Sequence, residues 1–161
     1  MRKIIVITWL LLMTNCGFKA VYETSNQDNL ILRQIEIAHK NDLLHQELRH
    51  SLEELLLKQS QKKYILDLDV KSTNADAITS ASGNPSRISI NVSAKFYLRD
   101  IKTNEILKEG SVSSYGEYDV DDNRFANYSS ADAIKAELTK ILAEKIRNKI
   151  ITWSISLDPQ D

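Results

Sequence analysis

The sequence predicts an α+β fold. This is a two-layer sandwich whose four-stranded, largely antiparallel sheet carries two helices on one face, in the order β-α-β-β-β-α. Three observations predict it. Four segments alternate apolar and polar residues with period two. Two segments repeat apolar residues at steps of three and four. Turn-forming residues separate the last three strands.

Composition narrows the function classes. The 161 residues carry 21 Lys+Arg against 22 Asp+Glu, a net charge of −1, which excludes a strongly basic nucleic-acid binder. With 42% hydrophobic residues, 4 Gly and 2 Pro, the chain is a folded domain and not a disordered or low-complexity segment. One cysteine excludes a disulfide framework and a Cys-based zinc site.

Residues 1–15 read as a lipoprotein signal peptide. Arg2 and Lys3 precede an apolar run at 4–13 broken only by Thr8. Ten helical residues span about 15 Å, roughly half a bilayer core, so the run is a signal-peptide core and not a membrane span. It ends at Cys16, the only cysteine. Ordinary cleavage nearby would leave a free thiol there. Acylation of Cys16 as the first mature residue is the reading its position favours. Membrane contact would then be through the N-terminal lipid anchor. Residues 16–29 form a lipidated N-terminus and lead-in, residues 30–153 a single α+β domain, and residues 154–161 a polar tail.

Residues 30–38 read as the first strand, with Ile35 and Ile37 alternating against Gln34 and Glu36. Asn41 or Asp42 opens a helix to about Lys58, with Asn41 a plausible cap. Its apolar face is Leu44, Leu48, Leu52, Leu55 and Leu56. Tyr64, Leu66, Leu68 and Val70 mark the second strand, and residues 72–86 read as a long hairpin connection. The third strand is the cleanest. Ile88, Ile90, Val92, Ala94, Phe96 and Leu98 share one face; Ser89, Asn91, Ser93, Lys95, Tyr97 and Arg99 share the other.

A turn at 100–105 leads to a fourth strand at 106–118. Gly110 and Gly116 there predict bulges or close backbone approach. The last helix starts near Arg124 or Ser129, where Ser129 and Asp132 resemble a capping box. It presents Ala131, Ile134, Leu138, Ile141, Leu142, Ile146, Ile150 and Trp153 as one stripe.

Catalytic and metal signatures are absent from the sequence. His45 and His50 stand five apart on the first helix, the wrong spacing for a shared metal face, and with His39 read as solvated residues. Asp119, Asp121 and Asp122 lack the spacing, glycine and terminal Glu of a calcium loop and read as a strand-end turn. There is no Walker loop, GxGxxG or G-x-S-x-G. No metal and no cofactor are expected.

Ordered short motifs carry a family resemblance. Cys16-Gly17-Phe18 with Val21-Tyr22 resembles the mature N-terminus, C-G-F-x-P-L-Y, of the LPS-assembly lipoprotein family LptE, in its alphaproteobacterial form. Leu48-Arg49 with Leu52 is similar to its first-helix L-R-x-x-L pattern. Tyr64-Ile65-Leu66 with Leu68 and Val70 is similar to its Y-x-L-x-V strand. Ser86-Arg87 leading through Ile88 to Leu98, Arg99 and Asp100 resembles its third strand. Gly110-Ser111-Val112 and Tyr118-Asp119-Val120 resemble the fourth. Phe125-Ala126 and Ala131-Asp132-Ala133 resemble the opening of the last helix. The departures are Lys19-Ala20, where Arg-Pro is frequent, and Met13 and Asn15 in the lipobox.

The resemblance implies a non-enzymatic lipoprotein at the inner leaflet of the outer membrane. It implies two partners: an LptD-type β-barrel, which the protein partners and plugs, and lipopolysaccharide, which it helps deliver to the outer leaflet. The residue chemistry suits a plug. Between residues 72 and 93, eleven of twenty-two are Ser, Thr or Asn, and only Asp76 and Arg87 are charged. Ser72, Thr73, Asn74, Thr79, Ser82, Asn84, Ser89, Asn91 and Ser93 are therefore expected to contact the barrel lumen. Arg87, Lys95 and Arg99 are expected to contact lipopolysaccharide phosphates. Two rival readings stand beside this one. One is an accessory lipoprotein of another envelope transport or maintenance system. The other is a periplasmic glycan enzyme using Asp67 and Asp69.

Overall fold

A computed structural model describes residues 31–56, 61–80 and 83–157. Its elements are β1 (Ile35–Ile37), α1 (Leu43–Leu55), β2 (Tyr64–Thr79), β3 (Pro85–Asp100), β4 (Ile106–Asp119) and α2 (Arg124–Ser156). The sheet order is β1-β2-β3-β4. β1 lies parallel to β2, and the other two pairings are antiparallel. The fold is the expected α+β arrangement with a mixed sheet. The parallel pair follows from connectivity, because α1 is the crossover that returns the chain to the same end of the sheet. The signal-peptide and anchor expectations, Cys16 included, lie outside the described residues, as do residues 16–29 and 158–161 of the expected tail, whose first residues, 154–156, belong to α2.

The two layers meet over one continuous core. Ile90, Val92, Ala94, Phe96 and Leu98 of β3 and Leu66 and Leu68 of β2 are buried together with Leu48 and Leu52 of α1 and Leu138, Leu142, Ile146 and Ile150 of α2. The two helical stripes and the alternation of β3 thus face each other across a single apolar interior, the driving term for the fold. Leu44, Leu55, Ile134, Ile141 and Trp153 flank it, partly buried.

Four local expectations need correction. The first strand is only three residues long: residues 31–33 are helical, closed by Gln34 N–H donating to the Ile31 carbonyl at 2.9 Å. Leu32 is nonetheless buried. Apolar residues at 31, 32 and 35 satisfy helical as well as strand spacing, and burial decided between them. The α1 cap is Asp42, whose carboxylate accepts from His45 N–H at 3.0 Å. α2 begins at Arg124 with Asn123 as its cap, accepting from Phe125 N–H, so Ser129 and Asp132 sit inside the helix and form no capping box. Residues 72–79 and 85–86 are strand and not connection. Their Ser, Thr and Asn residues suggest a loop by composition, but pairing with the sixteen-residue β3 extends the ladder through them, with register shifts at Asp76/Ile78 and Ile78/Thr79.

Both strand glycines mark close approach. A Cβ on Gly110 would meet the Phe96 ring at 2.7 and 2.8 Å, and one on Gly116 would meet Ile134 Cγ2 at 2.9 Å. The β3–β4 ladder keeps its register past both, shifting only at Leu98/Arg99. The connecting turn is organised by Asp100, whose carboxylate accepts from Lys102 and Thr103 N–H at 2.7 and 3.0 Å. Those bonds lower its pKa. Asn104 takes a φ of 58° there, a conformation Asn tolerates.

Candidate functional site

The sheet has one covered and one open face. Pairing register puts Thr73, Ser89, Asn91, Ser93, Lys95, Tyr97 and Arg99 on the open face, opposite the buried alternate residues of β3. Arg87 joins them, opposite Asp119 on β4. The expected outward face of β3 is therefore one surface. Ser72 and Asn74 are opposite Val92 and Ile90, so they look toward the helical side, above the core. The polar residues of the hairpin are divided between two faces and do not form a single one. Thr79 and Asn84 lie at the hairpin tip, where Asn84 C=O accepts from Ser80 N–H and Ser80 Oγ–H, each at 2.8 Å. Ser82 is outside the described residues.

The hairpin projects beyond the core. Residues 71–79 of β2 are all exposed, whereas Leu66 and Leu68 in the same strand are fully buried. Apolar burial holds the lower half of the strand; main-chain pairing to β3 holds the upper half, helped by Ser86 Oγ–H donating to Ile78 C=O at 3.3 Å.

The three expected cations differ in their surroundings. Arg87 donates from Nε to Asp119 Oδ1 at 2.7 Å and lies 3.8 Å from Glu117. The Asp119 hydrogen bond and charge raise its pKa further. Arg99 donates to Asp67 Oδ2 at 2.9 Å. Lys95 is exposed between Asp69 and Ser111 in register and has no ion pair among the described residues. Asp67 and Asp69 lie on the flat open face, with Lys71 Nζ 3.9 Å from Asp69. Two carboxylates on an uncovered sheet form no cleft for glycoside chemistry. Asp119 and Asp121 serve as ion-pair partner and turn acceptor. No cluster of three or more His, Cys, Asp or Glu that could hold a metal occurs among the described residues.

Two features escaped sequence reasoning. A cleft of about 370 Å3 opens on the helical side between Asn74, Tyr118, Arg124, Tyr128, Asp132 and Lys135. Those residues come from β2, β4 and α2, and no sequence spacing joins them. His45, expected to be solvated, is 2% exposed with neither ring nitrogen hydrogen-bonded. Burial lowers its pKa, assisted by Lys40. Its step of three to Leu48 and seven to Leu52 places it on the apolar stripe and could have signalled this.

This open-faced sandwich occurs in solved bacterial lipoproteins. A candidate lipoprotein from Caulobacter crescentus superposes with a TM-score of 0.69 at 20% identity, over 83% of this chain and 98% of that one. The rare lipoprotein B from Shewanella oneidensis does so with a TM-score of 0.62 at 12% identity, over 77% and 96%. At such identities the likeness concerns the fold. An uncharacterized protein of Rickettsia prowazekii is 24% identical over 155 residues, 96% of this chain and 99% of its own. Family membership comes from sequence: the LptE lipopolysaccharide-assembly family matches residues 32–150. The chain belongs to that family. It is a non-enzymatic lipoprotein of lipopolysaccharide assembly, associated with the outer membrane.

Proposed function

We propose that this chain partners and plugs an LptD-type outer-membrane β-barrel and helps bind and deliver lipopolysaccharide to the outer leaflet. Acylated Cys16 anchors it on the periplasmic side. The projecting hairpin is the observation that carries this reading. Residues 71–79 of β2 are exposed, Asn91 of β3 is exposed and Ser89 and Ser93 half-buried beside it, and only Asp76 and Arg87 are charged between residues 72 and 93. A surface meant for bulk water usually carries more Lys and Glu. Hydroxyl and amide groups can trade water for the polar wall of a barrel lumen without stripping a charge of its solvent. Thr73, Thr79, Asn84, Ser89, Asn91 and Ser93 are the lumen contacts of this reading.

Arg87, Lys95 and Arg99 are the proposed phosphate contacts. Lys95 is free to bind directly. Arg87 and Arg99 must exchange Asp119 and Asp67 for the ligand, a small cost because water screens exposed ion pairs. Photo-crosslinking groups at Thr79 and Asn84, with exposed Lys149 on α2 as control, test the plug. Barrel adducts from the tip positions and none from the control are expected. Adducts with another transport protein instead would replace this reading with the accessory-lipoprotein one. Unchanged lipopolysaccharide binding by the Arg87→Ala/Lys95→Ala/Arg99→Ala variant would remove the phosphate assignment.

A further inference from the structure

β4 ends the sheet, with β3 on one side and no strand on the other among the described residues. The hydrogen-bond phase of its main chain can be traced across the sheet. Leu66 C=O accepts from Ala38 N–H, so even residues of β2 turn toward β1 and odd ones toward β3. In β3 the odd residues face β2 and the even ones β4. Even residues of β4 therefore bond to β3, in agreement with Val120 N–H donating to Ser86 C=O. Glu109, Ser111, Ser113, Tyr115 and Glu117 direct their N–H and C=O groups away from the sheet. An independent contact agrees: Lys145 Nζ reaches from α2 to the Ser113 carbonyl at 2.6 Å.

Natural proteins usually blunt such an edge with proline, a bulge or a short strand. β4 has fourteen residues, no proline, and unbroken register from Lys108 to Asp119. The side chains of its five outward rungs lie on the open face. Tyr115 among them is 75% exposed, an amphipathic ring of the kind enriched at interfaces. Glu109 and Glu117 stand at the two ends.

We propose that the β4 edge docks an extended segment of a partner protein that carries Lys or Arg at two positions eight residues apart, opposite Glu109 and, in competition with Arg87, opposite Glu117. The segment adds a fifth strand by main-chain pairing, and Lys145 acts as a latch that releases the Ser113 carbonyl. Charge complementarity selects this occupant over a second copy. A two-fold β4–β4 pairing centred on Ser113 would set Glu109 against Glu117 on both sides, and like charges directly opposite are unfavourable. The inference is independent of the barrel reading, since the hairpin and β4 are probed at different positions.

The test uses the full-length chain in its native membrane, with photo-crosslinking groups at Ser111 and Tyr115 and mapping of the adducts. Both positions are expected to mark one extended basic segment of a single protein, at sites four residues apart. Ser113→Pro removes an N–H that no bond among the described residues uses, and proline is tolerated at such edge positions. It is expected to abolish the adducts while leaving the melting temperature close to wild type. Glu109→Lys/Glu117→Lys, which leaves the backbone alone, is expected to lower adduct yield about tenfold, and this variant decides the matter if Ser113→Pro fails to fold. Three outcomes would overturn the proposal: no adducts, adducts with a second copy, or adducts whose yield ignores both the proline and the charge reversal.

Discussion

At the scale of single residues, the fold is most sensitive where side chains are excluded or stranded. Gly110 lets β4 pass over the Phe96 ring, and that ring is itself fully buried. Gly110→Ala is therefore expected to cost about 1–3 kcal/mol, as overpacking does, seen as a lower midpoint in urea with an unchanged slope. A cost within error of zero would mean that the Phe96 ring can move aside. His45 is stranded differently: buried, neutral and without a hydrogen bond from its ring. Its folded pKa lies below its ordinary value because burial penalises the charged form. Below the unfolded pKa of about 6.5 the unfolded chain takes up a proton that the folded chain refuses. Its contribution to stability is thus full above that pH and is lost progressively as pH falls toward the folded pKa. Denaturation at pH 7.5 and 5.5 should show this loss, and His45→Leu should reduce it. Equal pH dependence in the variant would assign the loss to other groups.

At the scale of elements, apolar periodicity was readable and exposure was not. The stripes of α1 and α2 and the alternation of β3 were legible because a buried face repeats with the period of its element. The three-residue β1 was not, since Leu32 is buried equally well in a helical turn. Residues 72–79 and 85–86 read as a connection because their composition is that of loops, while the ladder holding them is long-range and leaves no local trace. The same limit applies to the site. Which residues share the open face of β3 followed from alternation. The separation of Ser72 and Asn74 from Thr73 needed the register, and the cleft at Asn74, Arg124 and Lys135 needed three elements. The projecting hairpin yields its own prediction. Replacing residues 76–88 by Asn-Gly removes no fully buried side chain among the described residues and one exposed ion-pair network. It should change stability by no more than about 2 kcal/mol while sharply reducing the barrel recovered with the tagged chain. Collapse of the fold would show that the hairpin supports the core and is not a free-standing extension.

At the scale of the whole molecule, the proposed reading joins an export signal and an acylated Cys16 to a two-layer body with a polar extension. In that reading each part serves to meet an envelope partner, as suits a member of the non-enzymatic LptE family. No helix among the described residues is long and apolar enough to cross a membrane, so the proposed attachment rests on Cys16. Cys16→Ser should move the protein from the membrane fraction to the soluble periplasmic fraction, and continued sedimentation with membranes would place the anchor elsewhere. The central claim is the partnership with the barrel. Its most direct measurement is purification of the tagged full-length protein from detergent-solubilised outer membranes, with mass identification and stoichiometry of whatever accompanies it. A large β-barrel at one-to-one is the predicted result. A clean preparation with no barrel, from membranes in which the barrel is present, would contradict it.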